Sequence, residues 1–194
     1  MRRSPTKANN VPNDNIKRML DKGNQSNVSY ESNTYEGYGP SGIAVICETL
    51  TDNRNRTVAD VRHYFDKYGA GLGNAGCVSW QFEQKGVLII ERGDLDEDET
   101  MMTVLDAGAD DFQADEDCFQ IYTAPEDFSA VRDALTEAGF EFAQAEIQMV
   151  PQNTITLESQ EDMAQLRKLL DSLEDNDDVQ HVWHNWENED DYEE

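Results

Sequence analysis

The sequence predicts an α+β fold of two βαββαβ units, one inserted into the other. Three observations carry that expectation. Hydrophobic spacing switches repeatedly between the period of about two of a half-buried strand and the period of about 3.6 of an amphipathic helix. Residues 86–151 read as a complete βαββαβ unit. The stretches on either side each read as βαβ, so that each lacks the partners the other holds. Joined, they make a second unit. Both have the ferredoxin-like order of elements, and 194 residues suffice for two such cores.

In chain order the first 29 residues stand apart. "NNVPNDNIKRMLDKGNQ" offers Pro12 and Asp14 as a helix start, Ile16, Met19 and Leu20 as an apolar face, and Gly23 as a stop. A helix this short has no core of its own, so the segment is expected to be the remnant of a helical domain. Ser26 to Thr34 reads as a polar linker. "TYEGYGPSG" (34–42) reads either as turn glycines with two packing tyrosines or as a site where Tyr35 and Tyr38 stack on bases and Gly37, Gly39 and Gly42 permit close backbone approach.

"GIAVICETL" (42–50) is the next strand. A helix follows from about Arg54 to Tyr68, with Val58, Val61, Phe65 and Tyr68 as its apolar stripe. "GAGLGNAG" turns the chain, and "CVSWQFE" (77–83) alternates as a strand with Val78, Trp80 and Phe82 on one face. "GVLIIE" (86–91) opens the inserted unit. Its helix "DEDETMMTVLDAGA" begins with carboxylates that suit the helix dipole. A short strand near Phe112, the strand "CFQIYTA", the helix opened by Pro125 and the strand "FAQAEIQMV" complete it. Beyond it come "TITLE" (154–158), a helix faced by Met163, Leu166, Leu170 and Leu173, and "VQHVWHNW" (179–186). The expected domains are therefore 1–29, a discontinuous unit of 30–85 with 152–187, the inserted unit 86–151, and an acidic tail 188–194 that reads as a solvated end.

Charge narrows the function. The formal net charge is −26, unevenly spread. Residues 1–82 carry ten Lys/Arg and eight Asp/Glu, whereas 83–194 carry five and thirty-three. A polyanionic partner is tolerable only near the first part. There "TDNRNRT" sets Asn53, Arg54, Asn55 and Arg56 at a helix start, where Thr51 or Asp52 is expected to cap. Free N–H groups, the positive dipole end and planar guanidinium donors together suit phosphate. Arg56, Asp60, His63 and Lys67 run down one stripe of that helix, and Arg62 is a further cation of the same helix. The bland alternative is that these arginines pair with neighbouring carboxylates. Lys17 and Arg18 add cations upstream.

Other chemistry finds no support. Cys47, Cys77 and Cys118 are odd in number and far apart, which argues against disulfides and a zinc knuckle. His181 and His184 fall on opposite strand faces and cannot chelate one ion; Trp183 and Trp186 divide likewise. "DLDEDE" and "DNDD" lack calcium-loop spacing, and the glycines of 34–42 lack that of a dinucleotide site. No Ser or Cys sits in a nucleophile context, so neither an enzyme nor a cofactor is expected. No apolar run reaches the length of a membrane helix and no secretory signal is evident, so the expected location is the cytoplasm.

"YEGYGPSG", "TDNRNRT", "TAPEDF" and the ending "DDVQHVWHN" resemble the YebC/PmpR family, including its mitochondrial translational-activator relatives. The likeness runs from about Ala8 to Glu187. It implies a helical first domain and two α+β domains, the third inserted in the second. It further implies a non-enzymatic regulator of gene expression, either a DNA-binding transcriptional regulator or a ribosome-associated, RNA-binding translation factor. The family's basic Gly-His-Ser-Lys-Trp string is absent, and "KANNVPNDNIKRMLDKG" corresponds to the end of the first domain. Two other functions stand beside this one. The acidic domain would suit an adaptor that engages a basic protein partner. Paired ferredoxin-like domains also suit a small-molecule, amino-acid sensor, with "GAGLGNAG" lining the site.

Overall fold

Residues 29–192 are the part of the chain described by the structure, a computed structural model. The expected helix near Pro12–Gly23, with Lys17 and Arg18, and the last two residues of the acidic end lie outside them. In chain order the described elements are β1 (Glu31–Tyr38), β2 (Ala44–Thr51), α1 (Arg54–Tyr68), β3 (Gly71–Leu72), β4 (Phe82–Glu91), α2 (Glu97–Asp106), β5 (Asp111–Ala114), β6 (Cys118–Thr123), α3 (Phe128–Glu137), β7 (Gln144–Pro151), α4 (Gln160–Glu174) and β8 (Val179–His184). They form two compact units. One takes in the described parts of Met1–Gln81 and Asn153–Glu194, the other is Phe82–Gln152. Each has a four-stranded antiparallel sheet, so the fold is α+β.

The second unit follows its hydrophobic pattern closely. Its strands lie in the order β5-β6-β4-β7, the ferredoxin-like arrangement of a βαββαβ chain. Alternate residues Leu88 and Ile90 of β4 and Phe119 and Ile121 of β6 pack with Val104 of α2 and Phe128, Val131 and Leu135 of α3. Asp96 caps α2 by accepting the Glu99 N–H at 3.0 Å.

The first unit differs from expectation in its connectivity. Its order is β3-β1-β2-β8. In ferredoxin-like terms β2, β3, β1 and β8 take the first, second, third and fourth strand positions, with matching directions. The third-position strand is thus drawn from before the first rather than after the second. That strand, β1, occupies what reads as linker and glycine turn. Its core-facing residues include only Tyr35 and a glycine, a pattern with no apolar alternation to betray it. Gly37 sits there because a Cβ would meet the Phe65 ring at 2.6 Å and the Gly71 carbonyl oxygen at 2.9 Å. A Cβ on Gly39 would meet Leu166 at 2.8 Å. These glycines serve packing, and of the three only Gly42 is turned by a positive φ, +81°.

Two expected strands are absent. "TITLE" contributes a single parallel bridge, Ile155 to Trp186. "CVSWQFE" is a turn followed by a 3-10 turn at Ser79–Gln81, and Phe82 begins β4. The cause is Glu36, almost wholly buried, whose carboxylate accepts the N–H groups of Gly76, Val78 and Ser79 at 2.8–2.9 Å. Those donors are no longer available to a strand ladder.

α1 and α4 cover one face of the sheet. Val61 and Phe65 meet Met163, Leu166, Leu169, Leu170 and Leu173 over Ile43, Val45 and Cys47. The acidic end is tied down through residue 192. Asn188 both accepts from the Leu157 N–H (2.8 Å) and donates to its carbonyl (2.9 Å), Glu189 pairs with Arg167, and Tyr192 packs on the core.

Candidate nucleic-acid interface

The start of α1 is held by its own polar residues. Asn53, rather than Thr51 or Asp52, is the cap: its side-chain oxygen accepts the Arg56 N–H at 3.2 Å. The buried Thr51 hydroxyl accepts the Asn53 N–H at 2.9 Å and steadies the cap from beneath.

Arg56 is engaged inward. Its Nη2 donates to both carboxylate oxygens of Asp178, at 2.8 and 2.9 Å, and to Asp52 at 3.0 Å. Asp178 is only 8% exposed and also accepts from the Thr57 hydroxyl at 2.7 Å. Burial raises its carboxyl, but the Arg56 and Thr57 hydrogen bonds outweigh this and hold it below the ordinary aspartate value. The same bond to Asp178 raises Arg56. For this arginine the ion-pair reading describes the geometry. It pins the helix start to the turn before β8.

Arg54, Asn55, Arg62 and Lys67 are different. All four are exposed, as Arg56 also is, and the difference lies in pairing. Asn55, Ala59, Arg62 and Asp66 share one stripe of the helix, opposite the buried Thr57, Val61 and Phe65. Among the described residues no carboxylate lies within ion-pair distance of Arg54, Arg62 or Lys67. The Lys67 ammonium rests 4.6 Å from the centre of the Tyr68 ring. Arg54 and Arg62 are about 12 Å apart along the axis at 1.5 Å per residue.

The tyrosines do not form a stacking platform. Tyr35 packs against the core, and its buried hydroxyl lies close to the Arg54 guanidinium. Burial pushes that hydroxyl above its usual value while Arg54 pulls it down. Tyr38 donates to the Cys77 carbonyl at 3.0 Å and so braces the loop after β3. That loop is filled by the Glu36 carboxylate, which accepts the N–H groups of Gly76, Val78 and Ser79.

Three residues escaped the sequence reading. Glu36 and Asp178 are buried carboxylates hidden among many acidic residues. Trp80 is 70% exposed although its spacing with Val78 and Phe82 imitates a strand face; its indole N–H donates to the Cys77 carbonyl at 3.0 Å. No signal in the local sequence separates these three.

His181 and His184 do lie on opposite faces of β8. His181 stacks on Trp183, while burial lowers the pKa of His184 on the core side. Cys47 is buried, and burial raises its thiol far above the ordinary value. Among the described residues no group of three His, Cys, Asp or Glu is placed to hold a metal, and no helix is long and apolar enough to cross a membrane.

Residues 30–186 match the model of the second and third domains of the TACO1/YebC family. A probable transcriptional regulatory protein of Ruminiclostridium cellulolyticum is 54% identical over 172 residues, covering 87% of this chain and 69% of its own length. One from Acetivibrio thermocellus is also 54% identical, with 87% and 71% covered. The crystal structure of a conserved hypothetical protein from Aquifex aeolicus is 39% identical and superposes with a TM-score of 0.77, over 92% of this chain and 74% of that one.

Proposed function

This chain belongs to the TACO1/YebC family, and on that premise we propose that it is a non-catalytic regulator of gene expression that binds nucleic acid, duplex DNA or ribosomal RNA, through the N-terminal end and exposed sides of α1. The observation that carries the reading is the division of labour among the cations of one helix. Arg56, its side chain still 48% exposed, is ion-paired to Asp178 and Asp52 and fixes the turn; Arg54, Arg62 and Lys67 stand exposed and unpaired by carboxylate, with the neutral amide of Asn55 beside them. The first N–H groups of α1 and its dipole favour an anion at the same end. Phosphate is a group that the planar, always-charged donors of arginine match. The contact positions the protein on a backbone without reading bases.

The second unit cannot share in such binding. It carries nineteen Asp/Glu against three Lys/Arg in residues 82–152. A small interface follows, with ~3–5 phosphate contacts and log K falling by ~0.9 with log salt for each duplex phosphate neutralised.

Arg54→Ala and Arg62→Ala test the assignment against a panel of duplexes and against ribosomal subunits in co-sedimentation. Each is expected to weaken binding about tenfold, the low end for a charge-assisted contact, and evenly across sequences. Melting should be unchanged in Arg62→Ala, whereas Arg54→Ala also removes the neighbour of the buried Tyr35 hydroxyl and should lower it slightly. Arg56→Ala is the internal contrast and should lower the melting temperature, because it strips Asp178 of its partner. Wild-type affinity in the Arg54/Arg62 double variant, or a salt slope near ten, would move the interface off α1.

A further inference from the structure

Six large hydrophobic side chains are exposed among the described residues, and four of them, Leu95, Met101, Met102 and Leu105, fall within eleven consecutive positions of the second unit. Scattered exposed leucines are ordinary; a concentration on one helix is not. Met102 is 65% exposed and Leu105 47%. On α2 the pairs Met101–Leu105 and Met102–Leu105 are one turn apart, so they form a continuous stripe, with Leu95 just before the cap. The inward face of the helix is already satisfied by Thr100 and Val104. The outer stripe therefore contributes nothing to the core of its own unit.

Its rim is uniformly acidic. Asp98 and Asp106 lie one turn to either side of Met102 on the same face, and Asp94, Asp96 and Glu97 cluster at the N-terminal end. The three cations of the unit are neutralised internally, Lys85 by Glu83, Arg92 by Glu97 and Arg132 by Asp133. No positive charge remains to offset the rim.

We propose that this face of α2 docks a basic amphipathic helix of a protein partner, taking its apolar stripe between Met101, Met102 and Leu105 and its lysines or arginines against Asp98 and Asp106. Charge selects that occupant. A second copy of this chain would bring carboxylates against carboxylates around any isologous contact. Nucleic acid and anionic membrane are repelled for the same reason. Methionine is a suitable lining, since its unbranched and polarisable side chain adapts to varied apolar surfaces. Helix-in-groove recognition works through such i, i+3 and i+4 anchors. The site is separate from the α1 surface, and its failure would leave the nucleic-acid proposal standing.

The probe is a labelled Leu/Lys amphipathic peptide roughly five helical turns long. Its control is a scrambled peptide of equal charge without an apolar stripe. The full chain should bind the amphipathic peptide and bind the scrambled one at least tenfold more weakly. Met102→Gln with Leu105→Gln keeps the net charge and should weaken binding at least tenfold, with melting unchanged because both side chains are exposed. Asp98→Asn with Asp106→Asn should also weaken it and flatten its salt dependence. The proposal is overturned if the Gln variant binds like wild type, if the two peptides bind alike, or if neither binds. Self-association of the wild type that disappears in the Gln variant would assign the face to a second copy and overturn it as well.

Discussion

Glu36→Gln is the sharpest probe of how the loop after β3 is built. The carboxylate is 6% exposed, takes the Gly76 N–H on one oxygen at 2.8 Å and those of Val78 and Ser79 on the other at 2.9 Å. Glutamine keeps the shape but loses the charge and sets an NH2 group against at least one N–H. A stranded buried donor costs about 1–3 kcal/mol, and bonds to a neutral oxygen are worth roughly half to one kcal/mol less than to a charged one. The total is about 3 kcal/mol, or about 6–12 °C in melting temperature at ~2–4 °C per kcal/mol. Thermal unfolding gives the first figure, and amide exchange at Val78 localises the loss. The pH dependence adds a sign. Burial raises the Glu36 carboxyl, but the three backbone N–H bonds outweigh it and leave it below the ordinary value. A depressed folded-state value means that the stabilisation is present above the unfolded-state value of about 4.3 and disappears as pH falls through the folded one. The gap between wild type and Glu36→Gln should thus be constant near neutrality and close under acid. A variant that melts within about 1 °C of wild type at neutral pH, or a gap unchanged under acid, would refute the account of the loop.

Gly37→Ala should destabilise the first unit by about 1–3 kcal/mol, since its new methyl must displace the Phe65 ring and a strand carbonyl at once; chemical denaturation reads this as a lower midpoint at unchanged slope. We also propose that residues 82–152 fold alone, because their sheet and core are complete, whereas 29–81 does not fold without 153–192, which supplies α4 and β8. A cooperative transition from the isolated 29–81 fragment would contradict that.

What the sequence determined by itself was everything that periodicity and charge encode. The α+β class, all four described helices, the βαββαβ order of the second unit and the concentration of cations in the first half are local or compositional properties. Each helix needs only an apolar stripe at the right spacing, and the second unit joins strands that follow each other in the chain. The resemblance carried by "YEGYGPSG" and "TDNRNRT" named the family the comparisons found. The first unit was different. That β1 and not "TITLE" lies beside β2 is decided by Phe65 packing over Gly37, a contact between residues 28 positions apart that leaves no apolar trace in β1. That "CVSWQFE" is not a strand is decided by a carboxylate some forty residues upstream. Within "TDNRNRT", two arginines of the same chemistry received separate tasks only when Asp178 arrived from 122 positions away to claim Arg56, leaving Arg54 without a carboxylate partner. Local sequence sets which groups a segment offers, and only the assembled fold, by burying some carboxylates and leaving others in water, decides which of those groups remain free for a partner.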